Sequence, residues 1–390
     1  MELTKGKKLL FFVAIMLSNI AVMGDCVIYP ITYNIYNAFP ESTVLVNYIL
    51  SGPPLLIVIA SLIAPMLLKK MTKKTLLILG CTLFTVGAVF GVAIDSVWWM
   101  SFTRTLVGVG QGFVNVSAIA LITEVYDERV RAKYIGYFNA SMNVVGVLCG
   151  FLVGSLAAES WQGAFRLYYA AIPMLVMVIL FVPNIKNEKQ SEAVAVKNRE
   201  KMGFEFWELI VTFTILCVCS MVIAYFISVY AVENGIGDES IVARAMSISQ
   251  VASFVGAMVF GFIYKKLKRW TLVLGYVLAA LMFLLMIVAP STPTIYIVYI
   301  MNSISYILPF SYAFVRGPMV VPESKADTAI GIVTAAYGIG GFLTTYFITF
   351  LMRIFNTELV TPILVVPAAL CVIIAVVDTL CAVKVNKNVL

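Results

Sequence analysis

The stretch MGDCVIYPITYNIY, residues 23–36, places one carboxylate, one proline and three tyrosines inside an otherwise apolar run. An ionised carboxylate at mid-bilayer costs a few kcal/mol on insertion scales, so Asp25 needs a partner, a wet cavity or a proton. At 100° per residue, Asp25, Tyr29, Thr32, Tyr33 and Tyr36 fall on one helical face, with Pro30 distorting it. A second buried charge is Arg104, which shares a stripe with Gly108, Gln111, Asn115 and Ile119. Arg104 either bonds carbonyls of neighbouring helices, or serves as an anion site or a counter-charge for Asp25. The chain has no histidine. Any group that carries a proton near neutral pH must therefore be a carboxylate, and Asp25 reads as the only acid deep in an apolar run.

Further polar candidates are sparser. Asn143 lies on a run with Asn139, Gly146, Gly150 and Gly154, where glycines permit close helix packing. In the second half of the chain, Gln250 stands with Ser247, and Tyr299, Asn302, Tyr306 and Phe310 form a stripe beside Pro309. Such stripes pack more often than they bind, but they also suit the wall of a cavity. Asp378 stands six residues before Lys384 and reads as interfacial, and Glu124 reads as loop-associated.

These residues must be positioned by membrane helices. The 390 residues are 62% hydrophobic and 12% charged, with a mean hydropathy of +0.99. That is too apolar for a soluble domain. Twelve apolar runs are long enough to span: about 9–38, 45–68, 75–94, 97–125, 134–157, 165–182, 207–231, 241–263, 271–289, 295–320, 328–352 and 359–383. The first is too long for a cleaved signal sequence and no small-x-small site follows it. Of the 27 lysines and arginines, 23 fall on one side of this layout, the exceptions being Arg104, Arg166, Arg244 and Arg353. The positive-inside rule then places both termini in the cytoplasm. The net charge of +7 is a topology signal and no nucleic-acid footprint. The seven cysteines lie in apolar stretches and show no disulfide or metal spacing.

The chain also repeats. KKMTKKTLLILG at 69–80 is echoed by KKLKRWTLVLG at 265–275, an offset of half the chain. The expected architecture is all-α: a six-helix bundle over 1–183, a charged cytoplasmic linker over 184–206, and a second six-helix bundle over 207–390. Two such halves suit alternating access, with substrate held between them.

At this point a family resemblance enters. RTLVGVGQG at 104–112, the loop and helix beginning EVYDERVRAKY at 124, and Trp161 with Phe165 resemble the fourth helix, fifth helix and sixth-helix start of the major facilitator superfamily. The resemblance implies the MFS fold of twelve helices. After helix two the superfamily's glycine and aspartate positions hold Ala64 or Pro65, Lys69 and Thr72, whereas its basic pair is kept as Lys73 and Lys74. Arg131 stands in the loop before helix five. Gly146, Gly150 and Gly154 resemble the antiporter glycine motif, with Phe151 where that motif has proline. Drug/proton antiporters of the superfamily commonly carry an acid in helix one shortly before a proline, and Asp25 with Pro30 looks similar.

The resemblance implies a secondary transporter for a small organic molecule, with the proton as coupling ion, the lipid bilayer as solvent, no cofactor and no nucleic acid. A functional monomer in a bacterial inner membrane is expected. Proton-coupled efflux of a lipophilic or cationic compound stands first. Uptake or exchange of an organic anion anchored by Arg104 stands second, and a transporter-like receptor or scaffold without flux third. The chain has no GxxxxGK[ST] or HExxH signature, which speaks against an ATP-driven pump or a zinc hydrolase.

Overall fold

A computed structural model describes residues 5–184, 202–237, 239–322 and 325–387. The described residues are helical nearly throughout and contain no strand. The chain forms two compact units, Met1–Ala195 and Val196–Leu390.

In the first unit α1 (Lys5–Leu17) and α2 (Asn19–Val22) lead into two short 3-10 turns, Gly24–Val27 and Tyr29–Ile31, and then α3 (Thr32–Ala38). Next come α4 (Thr43–Leu68), α5 (Lys73–Val89), α6 (Val97–Val125) and α7 (Glu128–Leu156). A 3-10 segment, Trp161–Ala170, precedes α8 (Ala171–Phe181). The second unit holds α9 (Phe204–Glu233), α10 (Glu239–Leu267), α11 (Trp270–Val288), α12 (Thr292–Arg316), α13 (Ala326–Ile354) and α14 (Val365–Lys387).

Among the described residues ten helices are long and apolar enough to cross a membrane, and eleven if the bent pair Gly6–Val22 and Gly24–Ala38 is one span. The expectation of twelve spans is not met by that criterion. The shortfall is α5, which has 17 residues and reaches about 26 Å against a hydrocarbon core of about 30 Å.

The first span corrects the sequence reading. It is no continuous helix, but bends by 50° at its break. Pro30 removes one N–H and its ring collides with the carbonyl four residues back, so the α ladder cannot run through it. The backbone tightens to i→i−3 bonds: Cys26 N to Met23 O at 3.1 Å, Ile28 N to Asp25 O at 3.0 Å and Ile31 N to Ile28 O at 3.1 Å. Three residues per turn replace 3.6, so the single face drawn through Asp25, Tyr29, Thr32, Tyr33 and Tyr36 does not survive. Tyr36 instead donates to Asn47 Oδ1 on α4 at 2.6 Å, which ties α3 to α4.

The centre of the first unit is α6, packed against both α4 and α5. Backbone contact explains how three helices pack so closely there. A Cβ on Gly110 would lie 2.6 Å from Phe84 N and 2.7 Å from Gly80 O. Only glycine lets α5 and α6 meet at this crossing. In the second unit α11 and α12 pack together, α10 lies on α12, α14 on α11, and α13 on α9.

Candidate functional site

Asp25 lies in the 3-10 turn Gly24–Val27 at the break of the first span, only 8% exposed. Its Oδ1 accepts a hydrogen bond from Arg104 Nη2 of α6, forming a buried ion pair. Arg104 is 2% exposed. Its Nε donates to Ile49 O of α4 at 3.0 Å. That acceptor is vacant for a definite reason. The helical donor to Ile49 O would be the N–H of residue 53, and residue 53 is proline. Both roles weighed for Arg104 are therefore present together: it bonds a neighbouring helix carbonyl, and it is the counter-charge of Asp25. Its Nη1 is buried without a hydrogen-bond partner among the described residues.

The break in the first span is held by side chains from other helices. Gln111 Nε2 of α6 donates to Ala21 O at 3.1 Å, and Tyr168 OH donates to Gly24 O at 2.9 Å. Asn19 Nδ2 donates to Phe138 O at 2.8 Å and to Ser141 Oγ at 2.6 Å on α7. Irregular backbone at membrane depth must be satisfied inside the protein, and the Gln111 and Tyr168 bonds do that at Ala21 O and Gly24 O, whereas the Asn19 bonds tie the first span to α7. Gln111 Oε1, like Arg104 Nη1, has no partner among the described residues. Tyr29 and Tyr168 are electrostatic neighbours of Arg104. The site thus combines one ion pair, two unpaired polar atoms and phenolic rings in a dry setting. Such a setting strengthens each electrostatic contact.

Tyr33 and Asn115 are half-buried in the first unit. Asn143 Nδ2 donates to Asn139 O of its own helix at 3.2 Å. Gly146 and Gly150 are buried on α7, and Gly154 is half-buried. Gln250, Asn302, Tyr306 and Phe310 belong to the second unit. Phe310 sits among the rings of Tyr306 at 5.5 Å, Phe314 at 4.7 Å, and Tyr337 and Phe213 at 6.2 Å, so the stripe joins α12 to α9 and α13. Asn302 Oδ1 is buried and unpartnered. Lys73 pairs with Glu124, which corrects the reading of Glu124 as merely loop-associated. Lys74 is half-buried, and the side chain of Arg131 lies outside the described residues.

A second correction concerns the number of buried acids. Asp378 is 0% exposed and Glu208 is 7% exposed. Both carboxylates accept from Arg269 Nη2, at 3.0 Å for Asp378. Asp25 is thus not the only buried acid. Asp378 is not interfacial despite standing six residues before Lys384, because α9 and α11 pack against α14 there. Burial opposes the Arg269 charge, but the Glu208 and Asp378 carboxylates outweigh it and hold the guanidinium above its ordinary pKa.

The family model of the Major Facilitator Superfamily matches residues 10–345, and again 236–385. The chain belongs to this superfamily. By family it is a membrane transporter and not an enzyme. Multidrug resistance protein 1 of Bacillus subtilis (strain 168) is 25% identical over 264 residues, 66% of this chain and 67% of that protein. The galactose-proton symporter of Escherichia coli (strain K12) is 29% identical over 119 residues, 30% of this chain and 25% of that protein. The chain therefore matches about two thirds of one relative's length and a quarter of the other's. The solved structure of a bacterial homolog of the human lysosomal transporter Spinster, inward-facing and occupied, aligns with a TM-score of 0.77 at 15% identity, covering 97% of each chain. That likeness speaks for the superfamily fold.

Proposed function

We propose that this superfamily transporter is proton-coupled and exports a lipophilic or cationic organic molecule by alternating access of its two units. The observation that carries the reading is the buried Asp25–Arg104 pair at the broken turn of the first span. In the charged state Asp25 holds Arg104. A proton on Asp25 leaves a neutral acid and frees the guanidinium, so the turn has two arrangements differing by one proton. A cationic substrate competes with that proton for the carboxylate. Binding of one therefore expels the other, and this exclusion is the basis of exchange. Support also comes from a relative named for multidrug resistance and from one named for proton symport.

A second reading is favoured by one detail, the unpaired Nη1 of Arg104. Here an organic anion docks on the arginine when Asp25 is protonated, which makes the cycle a symport. The two readings predict opposite linkage. Purified protein in liposomes with an imposed pH gradient, given ethidium as a lipophilic cation, decides between them. Ethidium movement against the proton flow, lost in Asp25→Asn, supports export. Ethidium flux that ignores the gradient in wild type contradicts it.

A further inference from the structure

The second unit carries a charge cluster that the exchange reading leaves unused. Glu208 near the start of α9, Asp378 in α14 and Arg269 at the head of α11 meet at one end of the unit. Two carboxylates face one guanidinium, which leaves one excess negative charge in a buried setting. An uncompensated buried charge is among the costliest features a fold can hold. Among the described residues no second basic side chain pairs with either carboxylate. Tyr276 and Cys381 are its electrostatic neighbours and are neutral. Tyr276 OH donates to Thr212 Oγ1 at 3.1 Å. Tyr312 lies near Arg269, and Arg316 is engaged by Glu205. Lys265 and Lys266 of α10 are exposed.

The hydrogen bonding shows the same shortage. Glu208 Oε1 and Asp378 Oδ2 are buried, and neither has a donor among the described residues. The two carboxyl groups nevertheless meet at one nitrogen, since both accept from Arg269 Nη2. Two carboxylates are both acceptors, so they can bond only if one holds a proton. We propose that Glu208 and Asp378 share one proton beside Arg269, forming a second proton-binding site, separate from Asp25. One proton supplies the missing donor and brings the cluster to zero net charge. A metal cation would need more oxygen ligands and would sit against a guanidinium. Among the described residues no group of three or more His, Cys, Asp or Glu could hold one.

The sequence repeat sets this site in context. Arg269 is the counterpart of Lys73 at the offset between the two KK segments, and among the described residues Lys73 has a single carboxylate partner, Glu124. The first unit's version is balanced one to one, and the second unit's version has room for a proton. The site does not depend on the role proposed for Asp25.

The test is infrared titration of the full chain in lipid, following the carbonyl band of a protonated, buried carboxylic acid. Asp25→Asn alone is compared with Asp25→Asn carrying Asp378→Asn or Glu208→Gln, so that Asp25 contributes no band. Each change in the cluster leaves one carboxylate on Arg269, a neutral pair that should still fold. The proposal predicts a band at neutral pH in Asp25→Asn, lost in both cluster double variants. A band that persists in either double variant overturns the shared proton. Displacement of the Asp25→Asn band by sodium at constant pH also overturns it, in favour of a metal cation.

Discussion

At the residue scale, the central feature is that Arg104 serves two acceptors. It repairs the carbonyl that Pro53 leaves open and neutralises Asp25. Removing one member of a buried pair leaves an uncompensated charge and costs about 3–5 kcal/mol, whereas replacing both is close to neutral. Arg104→Ala is therefore expected to lower the melting temperature in detergent sharply. Asp25→Asn combined with Arg104→Gln should recover much of the loss. A double variant no more stable than Arg104→Ala would mean that the pair is not what holds the turn. Much of this site was legible in the sequence, because a lone acid and a lone arginine stand out in apolar runs. The partner of Arg104 Nε was not, since it depends on which helix faces α6. The Glu208–Arg269–Asp378 cluster was missed because acids near span ends read as solvated, and only packing tells whether they are.

The elements explain how a charged pair is tolerated at all. The broken turn brings Asp25 to Arg104, and Gln111 and Tyr168 take up the carbonyls it leaves. The proline announced a break, but it did not announce a switch to 3-10 geometry over Gly24–Ile31, which depends on these partners. The 3-10 segment Trp161–Ala170 was likewise invisible to an apolarity count. Close packing is the other element-scale constraint. At Gly110 a larger side chain meets backbone of α5, and overpacking costs about 1–3 kcal/mol. At Gly136 of α7 an added Cβ meets nothing within 4 Å, and replacing a mid-helix glycine by alanine gains about 0.5–1 kcal/mol. Gly110→Val should thus unfold at a lower temperature than wild type, and Gly136→Ala at the same or a higher one. Equal stability of Gly110→Val and wild type would contradict the α5–α6 crossing.

Across the whole molecule, apolarity and charge asymmetry carried most of the information. Ten of the twelve apolar runs became full-length helices, the first became a bent pair, and only α5 falls short. A length criterion cannot foresee α5, whose ends depend on the Thr72 cap and on the turn after Val89. The distribution of basic residues makes an independent prediction about orientation. With the native cysteines replaced, Lys70→Cys should react with an impermeant maleimide only from the cytoplasmic side, and Glu159→Cys only from the opposite side. Both positions are exposed. Labelling of both from one side would overturn the orientation that the positive-inside rule assigns.

Proton release on adding ethidium to purified wild-type protein and to Asp25→Asn, in weakly buffered solution, tests the central claim most directly. The account predicts release from wild type and none from Asp25→Asn, which also binds ethidium more weakly. Equal proton release from both would place the coupling proton elsewhere and reduce Asp25 and Arg104 to a structural pair.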